Sequence, residues 1–172
     1  FFLLFFKIIE KWTFNSASKI NLVSIGFKDY LNLITKNKKL SFYTNGIDEI
    51  FINTPQKKQS KYFPKYINIL YAGNIGSGQA LDMIIPKSAI ALKQHAYFTI
   101  IGDGGKRKNL ENELKKQNIK NVKIINPIDR KKLFKYYNEA DILFLHLNDL
   151  PAFKKVLPSK IFEYASFNKP IL

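Results

Sequence analysis

From residue 67 onward, short runs of continuously apolar residues alternate with longer stretches of helical period. This alternation constrains the fold more than any other feature of the chain. Strands are predicted at 67–72 (Ile67-Asn68-Ile69-Leu70-Tyr71-Ala72), 97–101, 122–125, 141–146 and 169–172, with helices at 79–93, 106–118, 129–139 and 159–167 between them. Strands apolar on both faces need cover on both faces, and a strand–helix–strand rhythm supplies it as a parallel sheet with helices on each side. The predicted class is therefore α/β. Crossovers in such sheets are right-handed, and ligands bind beyond the carboxyl ends of the strands.

Ahead of this region, residues 1–16 read as a helix, 19–24 as a strand, 26–36 as a second helix and 40–43 as a short strand that runs into an Asn45-Gly46 turn. The stretch 53–65 is polar and rich in breakers, which predicts a connecting loop before a new domain. The opening run Phe1–Ile9 is apolar, but Lys7, Glu10 and Lys11 interrupt it well short of a membrane span. It reads as a helix packed in a core, with a helix lying in a membrane interface as the alternative. Trp12 and the Tyr136-Tyr137 pair read as core or interface aromatics. A chain of 172 residues that opens on Phe1 and stops inside a predicted strand is expected to be a fragment of a longer protein.

The formal charge of +15 would ordinarily suggest a nucleic acid or an anionic membrane. Of the 28 basic residues, however, only Arg107 and Arg130 are arginine, and the lysines are scattered along the whole chain. Specific recognition of bases and phosphates favours arginine's planar fork, so no nucleic-acid partner is expected. There are no cysteines, which excludes disulfides and thiolate metal sites. No Asp-x-Asp and no metal-spaced His/Asp cluster occurs, so no metal is expected, and no Ser/His/Asp constellation is evident.

The loops that follow the predicted strands carry the candidate chemistry. Gly73-Asn74-Ile75-Gly76-Ser77-Gly78 comes directly after the first strand, where glycines let a ligand approach backbone N–H groups. Its spacing is neither G-x-G-x-x-G nor a P-loop. Gly102-Asp103-Gly104-Gly105 closes the second strand, with Asp103 a turn former or helix cap and Lys106, Arg107 and Lys108 an exposed helix start. Asn126-Pro127-Ile128-Asp129-Arg130 ends the third strand, with Asp129 as the expected cap of the next helix and backbone groups near Ile128 exposed at the crevice. His146 follows the fourth strand and reads as a packed or solvent-facing histidine; His95 lies at the opposite edge and reads as structural. In the closing segment Ser159 is a candidate N-cap beside Pro158, and Lys154, Lys155 and Lys160 converge on that helix start, a setting suited to phosphate. Glu163 lies one turn further along, where a carboxylate can accept ribose hydroxyls. Read without a ligand, the same residues make a capped surface helix with a solvated Glu163.

The order of these motifs resembles family 4 glycosyltransferases of the GT-B fold: Asn45-Gly46-Ile47-Asp48, Tyr71-Ala72-Gly73-Asn74-Ile75-Gly76 with Ala80-Leu81-Asp82, Ile101-Gly102-Asp103-Gly104, Tyr137-x-x-Ala140-Asp141, and Pro158-Ser159-Lys160-Ile161-Phe162-Glu163-Tyr164. Within that family the chain is most similar to the bacterial branch that builds surface polysaccharides, such as lipopolysaccharide or capsule, from amino-sugar or deoxy-sugar donors. The resemblance implies two Rossmann-like domains. Residues 1–43 would be the end of the acceptor-side domain, 44–65 a hinge, and 66–172 the donor-binding domain, truncated at its C-terminus. It places Glu163 at the second Glu of an E-x7-E motif, on the donor ribose. The first Glu falls at Lys155, the catalytic position of that motif, so the motif is broken here. Asn74 and Gln79 stand where many members carry an Arg and a Lys in the first glycine loop.

By the same resemblance, Gly73, Asn74, Gly76, Lys154, Pro158, Ser159 and Lys160 would hold the donor diphosphate, and Pro127 and Ile128 the base. Gly102, Asp103 and Gly104 would line the cleft. The implied activity is retaining, hexosyltransferase-type transfer from a nucleotide-diphosphate sugar, with UDP or GDP as the nucleotide, to a lipid-linked or glycan acceptor. No cofactor is implied. The implied location is cytoplasmic, peripheral at the inner face of the membrane, with contact to anionic lipid. The piece alone would be inactive. Another Rossmann-type nucleotide-sugar enzyme, an epimerase or dehydrogenase, is the enzymatic alternative; a non-catalytic basic fragment that binds nucleotide or membrane is the other.

Overall fold

The computed structural model describes residues 2–35, 39–53 and 66–172. The chain divides into two compact units, the first comprising Phe1–Gly46 and Asp149–Ser159, the second Ile47–Asn148 and Lys160–Leu172.

In the first unit, helix α1 (Phe2–Ser16) leads to strand β1 (Ile20–Leu22), a 3-10 turn at Ile25–Phe27, helix α2 (Lys28–Ile34) and strand β2 (Leu40–Phe42). β1 and β2 pair in parallel, Ile20 opposite Leu40. Ile20, Leu22 and Leu31 form a small core against which Phe14 and Phe27 pack. The later segment of this unit carries a second 3-10 turn, Phe153–Lys155. Its backbone rests on Gly26, where a Cβ would fall 2.7 Å from the Lys155 carbonyl oxygen. The Leu157 N–H donates to Ser24 Oγ at 2.8 Å.

α1 corrects an expectation. The apolar run does form a helix, but none of its residues is buried, and Phe2, Leu3, Leu4, Phe5, Phe6, Ile8, Ile9 and Trp12 are all exposed. A helix apolar on every side needs cover all round; a two-stranded sheet offers only one face. Trp12 is accordingly not a core residue of this unit. Among the described residues, no helix is long and apolar enough to cross a membrane.

The second unit follows the predicted alternation. After helix α3 (Glu49–Asn53) come β3 (Ile67–Ala72), α4 (Leu81–Ala91), β4 (Ala96–Ile101), α5 (Arg107–Lys116), β5 (Val122–Ile125), α6 (Arg130–Glu139), β6 (Ile142–Leu143) and α7 (Lys160–Ala165). The strands form one parallel sheet in the order β5-β4-β3-β6, and Leu143 forms a parallel bridge to Ile171 beyond β6. Successive side chains point to opposite faces. Ile69, Tyr71, Phe98 and Ile100 therefore pack on one side with Leu81, Ile85, Leu110 and Leu114. Leu70, Ala72, Ile101 and Leu143 pack on the other with Phe51, Phe134, Tyr137 and Tyr164. Both faces are covered by helices, as continuous apolar strands require.

Several boundaries depart from the sequence expectation, and the strand expected at 169–172 is present only as the bridge at Ile171. β6 is two residues long rather than 141–146, although hydrogen bonds run past it from the Phe144 N–H to Leu70 O and from the Leu145 N–H to Leu172 O, both at 2.7 Å. α4 starts at Leu81 because Ala80 adopts the left-handed conformation, with φ 48°. The stretch 44–65, expected as a hinge, contains α3, whose Phe51 is buried and stacks on Phe134 at 5.0 Å between ring centroids; residues 54–65 of that stretch lie outside the described residues. β3, β4 and β5 step outward in one direction, and β6 returns to the far side of β3. The carboxyl ends of β3 and β6 thus meet at a topological switch point, where open α/β sheets bind ligands.

Candidate functional site

The loop after β3 is closed on itself. The Tyr71 hydroxyl donates to Asn74 O at 2.6 Å, and Gln79 Oε1 accepts from Asn74 Nδ2 at 2.9 Å and from the Gly76 N–H at 3.3 Å. Asn74 and Gln79 therefore bind each other across the loop. The loop after β4 meets it backbone to backbone. Gly102, at φ +154°, would place a Cβ 1.8 Å from Gly73 O, and Gly104, at φ +151°, would place one 2.5 Å from Asn74 Oδ1. Only glycine fits either position. The Ile75 N–H donates to Asp103 O, and the Lys106 N–H to Ile75 O, both at 2.8 Å. Asp103 forms the turn itself, its Oδ1 accepting the Gly104 N–H at 2.8 Å.

At the switch point His146 Nδ1 lies 2.7 Å from Gln79 O, and its ring stacks on Phe144. A carbonyl only accepts, so Nδ1 carries the proton. Asn148 donates to Ser77 O and Gly78 O. The ends of β3 and β6 are tied together, with His146 as a packed member of the tie.

Between these loops lies a crevice of about 320 Å³ lined by Gly73, Asn74, Gly102, Asp103, Pro127, Ile128 and Lys160, together with Ala72, Ile101 and Leu133. Gly73, Asn74, Gly102, Asp103, Pro127, Ile128 and Lys160 thus share one opening, while Gly76, Gly104 and Glu163 lie outside its lining. Lys160 Nζ donates to Glu163 Oε2 at 2.9 Å. The Tyr137 hydroxyl donates to the same oxygen at 3.3 Å, and Arg130 Nη2 lies 3.7 Å from Oε1. Glu163 is largely buried, its side chain 14% exposed, so the solvated reading of this residue does not hold. Burial pushes the Tyr137 phenol up, with the nearby Tyr164 and Glu163 adding to the effect. Burial likewise raises Tyr164, whose hydroxyl accepts the Ala72 N–H at 3.2 Å at the end of β3.

Four candidates lie in the first unit. Lys154 pairs with Asp149 at 3.0 Å, exposed on both sides. Lys155 borders a larger crevice of about 580 Å³ walled mainly by Phe14, Ile20, Leu22, Phe27 and Leu31. Pro158 is half-buried, and Ser159 is exposed immediately before α7.

Asp129 stands at the cap position of α6 but makes no side-chain capping bond, contrary to expectation; its carboxylate lies 3.8 Å from Lys132. Asp141, at the amino end of the sheet, holds the Asn68 N–H at 2.7 Å. Lys169 donates to Asn138 O and Ala140 O, and burial lowers its pKa. The Tyr137-x-x-Ala140-Asp141 motif thus joins a buried partner of Glu163 to a structural clasp at the opposite edge.

Two residues at the strand ends make contacts that their sequence positions do not predict. Arg107, expected on an exposed helix start, folds back to donate to Gly102 O at 3.0 Å and to Glu111 at 2.8 Å. Arg130 reaches Glu163 and forms an ion pair with Asp48. The signal was their rarity: both arginines of a lysine-rich chain stand at this edge.

The profile of the family described as "Glycosyl transferases group 1" matches residues 53–172. No curated relative matches the chain. Among solved structures, the chain is similar to sucrose-phosphate synthase from Thermosynechococcus elongatus, with a TM-score of 0.72 at 16% identity over 96% of this chain and 42% of that one. It is also similar to HepE of Anabaena in complex with UDP-glucose, with a TM-score of 0.70 at 14% identity over 96% of this chain and 47% of that one. A glycosyltransferase from Rickettsia africae has a TM-score of 0.70 at 13% identity, over 94% of this chain and 46% of that one. The chain thus spans less than half the length of each of these proteins, which share its fold. The family profile covers most of the sequence and the whole of the strand-end crevice, and the chain belongs to the group 1 glycosyl transferases.

Proposed function

We propose that the second unit binds the donor of a retaining glycosyl transfer, a nucleoside diphosphate sugar, in the crevice at the strand ends. The observation that carries this reading is the pairing of Lys160 with a largely buried Glu163 beside two interlocked glycine loops. A diphosphate needs positive charge and close backbone approach; a ribose needs a hydroxyl acceptor. Lys160 and the loop ends supply the first two at the crevice, and Glu163, one turn further along α7 and outside the crevice lining, supplies the third. The complex of a fold neighbour with UDP-glucose supports the same substrate class.

In this reading Glu163 accepts the ribose hydroxyls. Lys160, with Gly73, Asn74 and Gly76, meets the diphosphate. Pro127 and Ile128 flank the base, and Gly102, Asp103 and Gly104 line the cleft. Lys154, Lys155, Pro158 and Ser159 carry a diphosphate or catalytic role by motif position alone. As the bond between sugar and diphosphate opens, negative charge grows on the leaving oxygen, and a fixed ammonium stabilises that charge without reorganising. The acceptor of the whole protein is a lipid-linked or glycan hydroxyl. A peripheral position at the cytoplasmic face of a membrane accords with the +15 charge and the exposed apolar side chains of α1.

Calorimetric titration with UDP and GDP tests the reading. Saturable binding that tolerates moderate salt, weakened in Glu163→Ala, is the expected result. Affinity that collapses with salt for any polyanion would instead mark a basic module, and an unchanged nucleotide affinity in Glu163→Ala would remove the ribose assignment.

A further inference from the structure

Glu163 Oε2 is fully engaged, taking Lys160 Nζ at 2.9 Å and the Tyr137 hydroxyl at 3.3 Å. Oε1 is different. Among the described residues the group facing it is Arg130 Nη2 at 3.7 Å, within ion-pair range and too far for a hydrogen bond. Oε1 therefore keeps its lone pairs while the carboxylate is held from both ends. Arg130 is itself gripped from another part of the chain. Its guanidinium pairs with Asp48 and lies 5.9 Å from the centre of the Phe51 ring. Phe51 is fixed in turn, only 2% exposed and stacked on Phe134.

An exposed ion pair of this kind stabilises a fold very little, and Arg130 and Asp48 are both more than half exposed. The geometry points to another role. We propose that Arg130, anchored by Asp48 and the Phe51 ring, is a positioning residue that aims Glu163 Oε1 at the ribose hydroxyls of the bound nucleotide without consuming its lone pairs. This rests on the nucleotide reading given above and adds to it a residue, and an anchoring segment around α3, outside the crevice lining. Lysine cannot substitute fully, because one ammonium cannot face two carboxylates with the geometry of a planar fork.

The test compares UDP or GDP, whichever binds more tightly, with its 2′,3′-dideoxy form, which lacks the hydroxyls. Each is titrated calorimetrically into the wild-type chain, Arg130→Ala, Arg130→Lys and Asp48→Asn. The wild type should prefer the ribose form by about tenfold or more, the value of hydrogen bonds to a charged acceptor. Arg130→Ala should reduce that preference to about twofold by weakening the ribose form alone, and Arg130→Lys should recover part of it. Asp48→Asn, which leaves Arg130 in place and releases its anchor, should lower the preference by an intermediate amount; it carries the test if Arg130→Ala fails to fold. Variants that keep the wild-type preference, or lose affinity for both nucleotides equally, would overturn the positioning role while leaving the nucleotide site intact. A wild type that binds neither nucleotide, or both alike, would overturn the underlying site assignment.

Discussion

Lys160 Nζ and the Glu163 carboxylate face each other 2.9 Å apart across one turn of α7. Two groups suited to opposite ends of a nucleotide therefore hold one another, and a diphosphate must compete with Glu163 for the ammonium. Lys160→Ala should weaken UDP binding by about tenfold or more while changing uridine binding by less than about twofold. Calorimetry with the two ligands checks this; equal losses would argue against a phosphate contact.

The glycine loops are expected to tolerate no side chain where they touch. In Gly102→Ala, a Cβ 1.8 Å from Gly73 O combines with a φ of +154°. The expected loss is about 3 kcal/mol from backbone strain and overpacking together. Gly46→Ala, where a Cβ meets nothing within 4 Å, serves as the control and should change stability little. Urea unfolding of both variants decides it.

Phe51 offers a direct measure of how firmly α3 belongs to the second unit. It contacts Phe134, Tyr137 and Phe167 and is 2% exposed. Phe51→Ala should cost about 3–5 kcal/mol. A variant with wild-type unfolding would mean that the helix contributes nothing to that core.

Alkaline pH should unfold the second unit through its tyrosines. Burial raises the phenols of Tyr71, Tyr137 and Tyr164 above the ordinary value of 10.0. Below pH 10 these phenols are neutral in both states, and their contribution is fully present. Above it the unfolded chain releases protons that the folded one retains, so stability falls as pH rises. Denaturant midpoints measured from neutral to strongly alkaline pH should decline beyond about pH 10; Tyr71→Phe, which loses one such group, should flatten the decline.

The central strands were legible in the sequence because β3, β4 and β5 are short apolar runs between helices of clear period. β6 and α3 were less so, each for a physical reason. Both halves of that edge, 141–146 and 169–172, read as strands, but their pairing reduces to Ile142–Leu143 and a bridge to Ile171, with Pro170 and Leu172 accepting from Leu143 and Leu145. α3 is five residues long and runs up to a polar, breaker-rich stretch, and tertiary burial of Phe51 gives it a place. Glu163 and Lys160 could be paired from their spacing within one helix turn. Arg130 could not, because its partners Asp48 and Glu163 lie far from it in sequence, and its rarity as an arginine marks it without naming them.

The hydrogen bond from the Leu157 N–H to Ser24 Oγ joins residues 133 apart in the chain. At ribosomal rates of about 5–20 residues per second, the later partner emerges on the order of ten seconds after the earlier one. Nearly all of the second unit is synthesised in that interval. The first unit, whose strands leave the ribosome first, thus stays open at this bond until most of the second has been made.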